Sequence, residues 1–136
     1  MGLAGIDHVS LPLADAGAMA AFYRALGFTV EESPWLVQVY AGAQMINFHR
    51  REIWERPGFT LRAPAAVPPC GDLCFEWSGS AAALDSLLSA AGAEIEEGPV
   101  GRDGGRRARG TSVYVRDPDG NLVEFLRYGT EVDGER

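Results

Sequence analysis

The sequence predicts an α+β fold in which one βαβββ module is used twice, giving curved mixed sheets around a shared cavity. Three observations carry this. Hydrophobic periodicity reads β-α-β-β-β and then the same order again. The first helix ends on Leu26-Gly27-Phe28, and the second on Ala91-Gly92-Ala93. Gln44-Met45-Ile46-Asn47-Phe48 is answered by Asn121-Leu122-Val123-Glu124-Phe125, and Asp7-His8-Val9-Ser10-Leu11 by Gly71-Asp72-Leu73-Cys74-Phe75. A module this small cannot bury both faces of its own sheet, so the 136 residues are expected to act as one domain. The modules span residues 5–50 and 71–128, with a linker at 51–70 and a tail at 129–136.

Each element follows from local chemistry. Residues 5–13 read as a strand. Asp15 caps a helix that runs to about Leu26, with Met19, Phe22, Tyr23 and Leu26 on its apolar face and Gly27 as its stop. Residues 28–32 and 35–41 are strands about a Ser33-Pro34 turn, and 44–50 is a third. Four prolines make 51–69 a long connection. Residues 72–77 are a strand. Ser80 opens a second helix, with Leu84, Leu87, Leu88 and Ala91 inward and Gly92 as its stop. Residues 94–97 are a short strand. Residues 98–110 are a mobile loop rich in glycine. Strands 111–115 and 121–128 close the fold about the turn Asp117-Pro118-Asp119-Gly120.

Composition limits the function classes. An apolar fraction of 46% is that of a globular chain. A net charge of -7 argues against a nucleic-acid partner. No segment is long and apolar enough for a membrane span. Asp7 and His8 interrupt any apolar leader, and no basic lead precedes them, so a cytoplasmic location is expected. Cys70 and Cys74 stand too far apart along one strand for a disulfide and read as packing residues.

Strand parity selects the residues that face the cavity. Val9 and Leu11 belong against the first helix, so His8 and Ser10 face away from it. Leu73, Phe75 and Trp77 leave Asp72, Cys74 and Glu76. Ile46 and Phe48 leave Met45, Asn47 and His49. Val123 and Phe125 leave Glu124, a charge among apolar neighbours that needs a cation, a donor or water beside it. The chain has two histidines, and parity sets both on this face. His8, Asp72, Glu124 and either Asn47 or His49 are thus expected to come together.

These features resemble the vicinal oxygen chelate superfamily, which includes glyoxalase I, fosfomycin-resistance transferases, extradiol dioxygenases and bleomycin-binding proteins. The resemblance rests on the duplicated module, Ile6-Asp7-His8-Val9, Phe22-Tyr23-x-x-Leu26-Gly27-Phe28 and Asp117-Pro118-Asp119-Gly120-Asn121-x-x-Glu124, and covers about residues 5–128. Residues 44–49 with 71–75 look most like the small glyoxalase-domain subgroup. The resemblance implies metal ligands on the first and fourth strands of each module, here His8, Asn47, Asp72 and Glu124. Asp72 stands where members often carry His, and Asn47 where glyoxalase-like members carry Glu. A carboxamide is a weak donor, and His49, two residues on, is the alternative. The expected metal set is His8, Asp72, Glu124 and His49. Such mixed nitrogen and oxygen donors suit Mn, Fe, Co, Ni or Zn, and an oxygen-rich version suits Mn or Mg.

The resemblance implies an enzyme that uses a divalent metal as Lewis acid on a small oxygenated molecule, with Glu124 or His49 moving the proton. Isomerase or lyase chemistry ranks above dioxygenase chemistry, because typical extradiol enzymes are larger. The competing reading is a metal-free protein that sequesters a planar or hydrophobic compound. Asn47, Ser10, Cys74 and Tyr114 are candidate substrate-binding residues. So are Arg106, Arg107 and Arg109 of the 98–110 loop, which holds four of the twelve basic residues. The alternative for that loop is a solvated surface segment. The resemblance also implies a homodimer.

Overall fold

A computed structural model describes residues 2–129. They fall into two compact units, one drawn from residues 2–71 and 118–120, the other from 72–117 and 121–129. The first unit holds β1 (His8–Pro12), α1 (Ala16–Ala25), β2 (Thr29–Glu32), β3 (Leu36–Ala41), β4 (Gln44–His49) and a short α2 (Arg51–Trp54). Its sheet runs β1-β4-β3-β2, with β1 parallel to β4 and the other pairs antiparallel. The second unit holds β5 (Asp72–Glu76), α3 (Ala81–Ala90), β6 (Glu97–Asp103), β7 (Arg109–Arg116) and β8 (Leu122–Tyr128). Its sheet repeats the pattern as β5-β8-β7-β6.

The helices start and stop alike. Asp15 accepts the Ala18 N–H and Ser80 the Ala83 N–H, both at 3.0 Å, which satisfies one orphan donor of each first turn. Gly27 and Gly92 follow the last turns at φ +92° and +71°, a backbone state that an L side chain resists. α1 buries Met19, Ala20 and Tyr23, and Val37, Val39, Ile46 and Phe48 of the same unit's sheet are buried with them. The Tyr23 and Phe48 rings stand 5.9 Å apart. α3 buries Leu84 and Leu88, with Val113, Val115, Val123 and Phe125 in the core of the second sheet. Each buried Val, Leu, Ile, Phe or Met among them contributes about 1.5–3 kcal/mol by leaving water.

The turn that links β7 to β8 is closed by a buried pair. Asn121 donates its backbone N–H and its side-chain amide to the Asp117 carboxylate at 2.9 and 2.8 Å. Within the first unit, the Asp119 carboxylate accepts the N–H groups of Ala14 and Asp15 at 2.8 and 3.0 Å, where the chain enters α1. The motif therefore builds the fold.

Three expectations are corrected. Residues 98–110 are a hairpin, not a mobile loop: β6 and β7 pair, and the tip is closed by Gly104 N–H to Ala108 C=O at 3.0 Å. Its glycines allow close packing. A Cβ on Gly110 would come 2.6 Å from the Arg127 carbonyl oxygen, and one on Gly104 would meet the Tyr128 hydroxyl. The expected strand at 94–97 begins instead at Glu97, on the edge of the sheet, where Pro99 costs no ladder bond. Cys70 and Cys74 are exposed free thiols and not packing residues.

Candidate functional site

In the first unit, β1 and β4 run parallel with His8 opposite Met45, Ser10 opposite Asn47 and Pro12 opposite His49. The polar side chains share the sheet face away from Ile46 and Phe48. His8 is exposed, and its Nδ1 lies 2.7 Å from an Asp7 carboxylate oxygen. That contact orients the ring and leaves Nε2 open, the arrangement common among metal-binding histidines. The sequence reading did not single out Asp7 for this. Asn47 accepts the Gln38 amide at 3.2 Å, and its own amide nitrogen lies 3.4 Å from His49 Nε2. The linker covers His49: the Phe59 ring sits 5.8 Å from the imidazole. Burial, then the charges of Arg62 and His8, push the His49 pKa below its ordinary value. A neutral imidazole is the form that can bind a metal or take a proton. Trp54 ties the linker to the residue after β1 by donating Nε1–H to the Leu13 carbonyl at 2.9 Å.

In the second unit, β5 and β8 run parallel with Asp72 opposite Leu122 and Cys74 opposite Glu124. Glu124 is also the cross-strand partner of Tyr114. Its carboxylate accepts the Ser112 hydroxyl at 2.5 Å, and the Tyr114 and Cys74 side chains are its cross-strand neighbours on either side. The thiol is pushed up to about 12, by burial, then by the charge and hydrogen bond of Glu124 and the charge of Asp72. Burial and Glu124 raise the Tyr114 phenol, while Arg102, donating at 2.9 Å, acts against them.

A pocket of about 370 Å³ opens beside Glu124, walled by Cys74, Glu76, Leu126, Tyr128 and the hairpin tip at Gly104–Arg106. Arg106 is already engaged: it pairs with Glu76 at 2.7 Å and lies 4.9 Å from the centre of the Tyr128 ring. Arg109 stands 3.5 Å from Asp103. Arg107 is exposed at the tip with φ +59°. Sequence reasoning missed Ser112 and Arg102. The alternation that put Glu124 on the polar face also puts Ser112 there, but a lone serine in an apolar strand carries no other signal.

Among the described residues, no group of three or more His, Cys, Asp or Glu side chains is gathered as a metal centre would require. Each unit carries two of the four ligand positions that the resemblance implies, in matching register. Asn47 lies two residues beyond the partner of His8, and Glu124 two residues beyond the partner of Asp72. By type, the imidazole and the two carboxylates fit a divalent cation, and Asn47 is the weak member.

The Glyoxalase/Bleomycin resistance protein/Dioxygenase superfamily model matches residues 5–125. The chain belongs to this superfamily. A virulence protein of Salmonella typhimurium is 39% identical over 90% of this chain and 83% of its own length. Its crystal structure superposes with a TM-score of 0.82 at 36% identity, covering 95% of this chain and 100% of that one. A glyoxalase domain-containing protein of Mycosarcoma maydis is 34% identical over 94% of this chain and 70% of that protein. A lactoylglutathione lyase from Agrobacterium tumefaciens is 25% identical with a TM-score of 0.69, over 94% and 96% of the two chains. Two four-stranded mixed sheets, each with a helix on one face, are the architecture of this superfamily. Among the described residues, no helix is long and apolar enough to cross a membrane.

Proposed function

We propose that this superfamily member is a divalent-metal-dependent enzyme acting on a small oxygenated molecule, as an isomerase or lyase ahead of a dioxygenase. The observation that carries this is Glu124. It is a carboxylate on the polar face of its sheet, held by a buried serine at 2.5 Å and bordering a pocket of about 370 Å³. A carboxylate fixed by donors at a cavity wall can ligate a cation or move a proton. His8, Asp72 and Glu124, with His49 or water, are the ligands this reading assigns. The metal is Mn, Fe, Ni, Co, Zn or Mg, and when bound it would supply Lewis acidity to two neighbouring substrate oxygens. Likeness to a lactoylglutathione lyase supports the order of reaction classes.

The remaining roles fall to the chain itself. Glu124 or His49 carries the proton, and burial and the Arg62 charge favour the neutral ring of His49. Ser112 and Tyr114 hold the carboxylate. Asn47, Ser10 and Cys74 border the substrate. Arg106, Arg107 and Arg109 would clamp an anionic group only if the Arg106–Glu76 pair opened. The protein works as a homodimer in the cytoplasm.

Elemental analysis of protein purified without chelator tests this. Stoichiometric metal is expected, and His8→Ala and Glu124→Ala are each expected to lower it while leaving the fold intact, since neither opens an apolar void. Full occupancy in both variants would sink the ligand set. A metal-free protein with tight ligand binding would favour the second reading, sequestration, for which the weak donor Asn47 speaks.

A further inference from the structure

One side chain beside Glu124 belongs to no motif. Arg102, on β6, donates its Nε–H to the Tyr114 hydroxyl at 2.9 Å and a terminal N–H to the Gly101 carbonyl at 2.9 Å. Its guanidinium lies 5.5 Å from the centre of the Tyr114 ring. The register partner of Arg102 on β7 is Gly110, which has no side chain, so the guanidinium can lie across the sheet to a residue four positions along. Arginine has only donors, so the Tyr114 oxygen is the acceptor in this bond. A phenol has one proton. With an oxygen lone pair taken by Arg102, that proton is left for another acceptor, and Glu124 is the cross-strand partner of Tyr114 on the same sheet face. The same carboxylate receives the Ser112 hydroxyl, and Ser112 is fully buried, shielded from bulk solvent.

We propose that Arg102 is a positioning residue for Glu124, acting through Tyr114. The chain of donors runs in one direction, from guanidinium to phenol to carboxylate. Ser112 holds the carboxylate as a second donor, and together they leave its remaining lone pairs for the pocket. The inference rests on the reading of Glu124 as a ligand-binding carboxylate, and it adds a residue that the superfamily motifs do not mark.

Calorimetric titration with Co²⁺ tests it in the wild type and in Arg102→Gln, Arg102→Lys, Tyr114→Phe and the Arg102→Gln/Tyr114→Phe double variant, with Glu124→Gln alongside. Arg102→Gln and Tyr114→Phe should each weaken Co²⁺ binding by on the order of 10-fold, the usual cost of losing a residue that orients a ligand. The double variant should lose no more than either single one, and Arg102→Lys should recover most of the affinity. Additive losses, or a loss in Glu124→Gln with none in Arg102→Gln, would overturn the proposal and leave the reading of Glu124 standing. If Glu124→Gln has no effect on Co²⁺, the ligand reading fails instead. Metal-free protein labelled with 3-fluorotyrosine then decides. The ¹⁹F resonance that disappears in Tyr114→Phe should shift in both Glu124→Gln and Arg102→Gln, and a resonance that ignores either change would overturn the proposal.

Discussion

Glu124 is defined by what surrounds it. A serine donates to the carboxylate, a phenol and a thiol stand beside it, and each comes from a neighbouring strand at a fixed register. The effect runs both ways: the carboxylate is oriented, and the groups around it keep their protons. Cys74 shows the second half. A thiol pushed up to about 12 has little thiolate at pH 8, and the thiolate is the nucleophile. Iodoacetamide at pH 8 should therefore alkylate Cys74 on the order of 100-fold more slowly than an unperturbed cysteine. The exposed Cys70 should label first. Glu124→Gln, which removes the nearer charge, should speed Cys74. Peptide mass spectrometry over a labelling time course measures both rates. Equal rates for the two cysteines in the wild type would show that the carboxylates do not govern the thiol.

At the scale of elements, the β6–β7 hairpin shows where sequence and structure part. Its glycines and arginines read as a mobile segment because composition records the absence of side chains and not what that absence admits. Gly110 lets the Arg127 carbonyl approach, and Gly104 lets the Tyr128 hydroxyl sit beneath the tip. Arg106 then ties the tip down through its backbone N–H to Tyr128 at 3.2 Å and its ion pair to Glu76. Gly105 has open space around it. Gly110→Ala should cost about 1–3 kcal/mol of stability by overpacking. Gly105→Ala, at a site an alanine can occupy, should be neutral or add about 0.4–1 kcal/mol by restricting the unfolded chain. Urea denaturation of the two variants measures the difference, and equal stabilities would return the hairpin to a loosely packed surface segment. The helices, by contrast, were legible from the start. Asp15, Ser80, Gly27 and Gly92 act through local chemistry that needs no distant partner. The donors around Glu124 were legible only in part. Parity put Glu124 and Cys74 within the candidate site, and Tyr114 was a candidate as an aromatic liner, but neither signal hints that Arg102 crosses a glycine to reach the phenol.

For the molecule as a whole, duplication is the organising fact, and the departures from it carry the functional content. Both sheets have the same strand order and the same parallel pair, and both place the second polar residue two positions past the partner of the first. The pairs themselves differ: His8 and Asn47 in one unit, Asp72 and Glu124 in the other. Only Asn47 is a poor donor, and its carboxamide is already committed to Gln38 and His49. Restoring a carboxylate there should strengthen cation binding if the register-matched positions serve one ion. Asn47→Glu keeps an acceptor for the Gln38 amide, so the sheet should tolerate it. It adds an anionic oxygen donor, and Co²⁺ affinity should rise by on the order of 10-fold, comparable in size to the loss expected when one orienting residue is removed. Asn47→Ala should stay within a few-fold of wild type, and His49→Ala should weaken binding by on the order of 10-fold if the imidazole takes the place that Asn47 leaves. Competition against a metal indicator ranks the three variants. Weaker binding in Asn47→Glu than in wild type would mean that the position does not face the cation, and the correspondence between the two pairs would then be an echo of gene duplication without a shared chemical task.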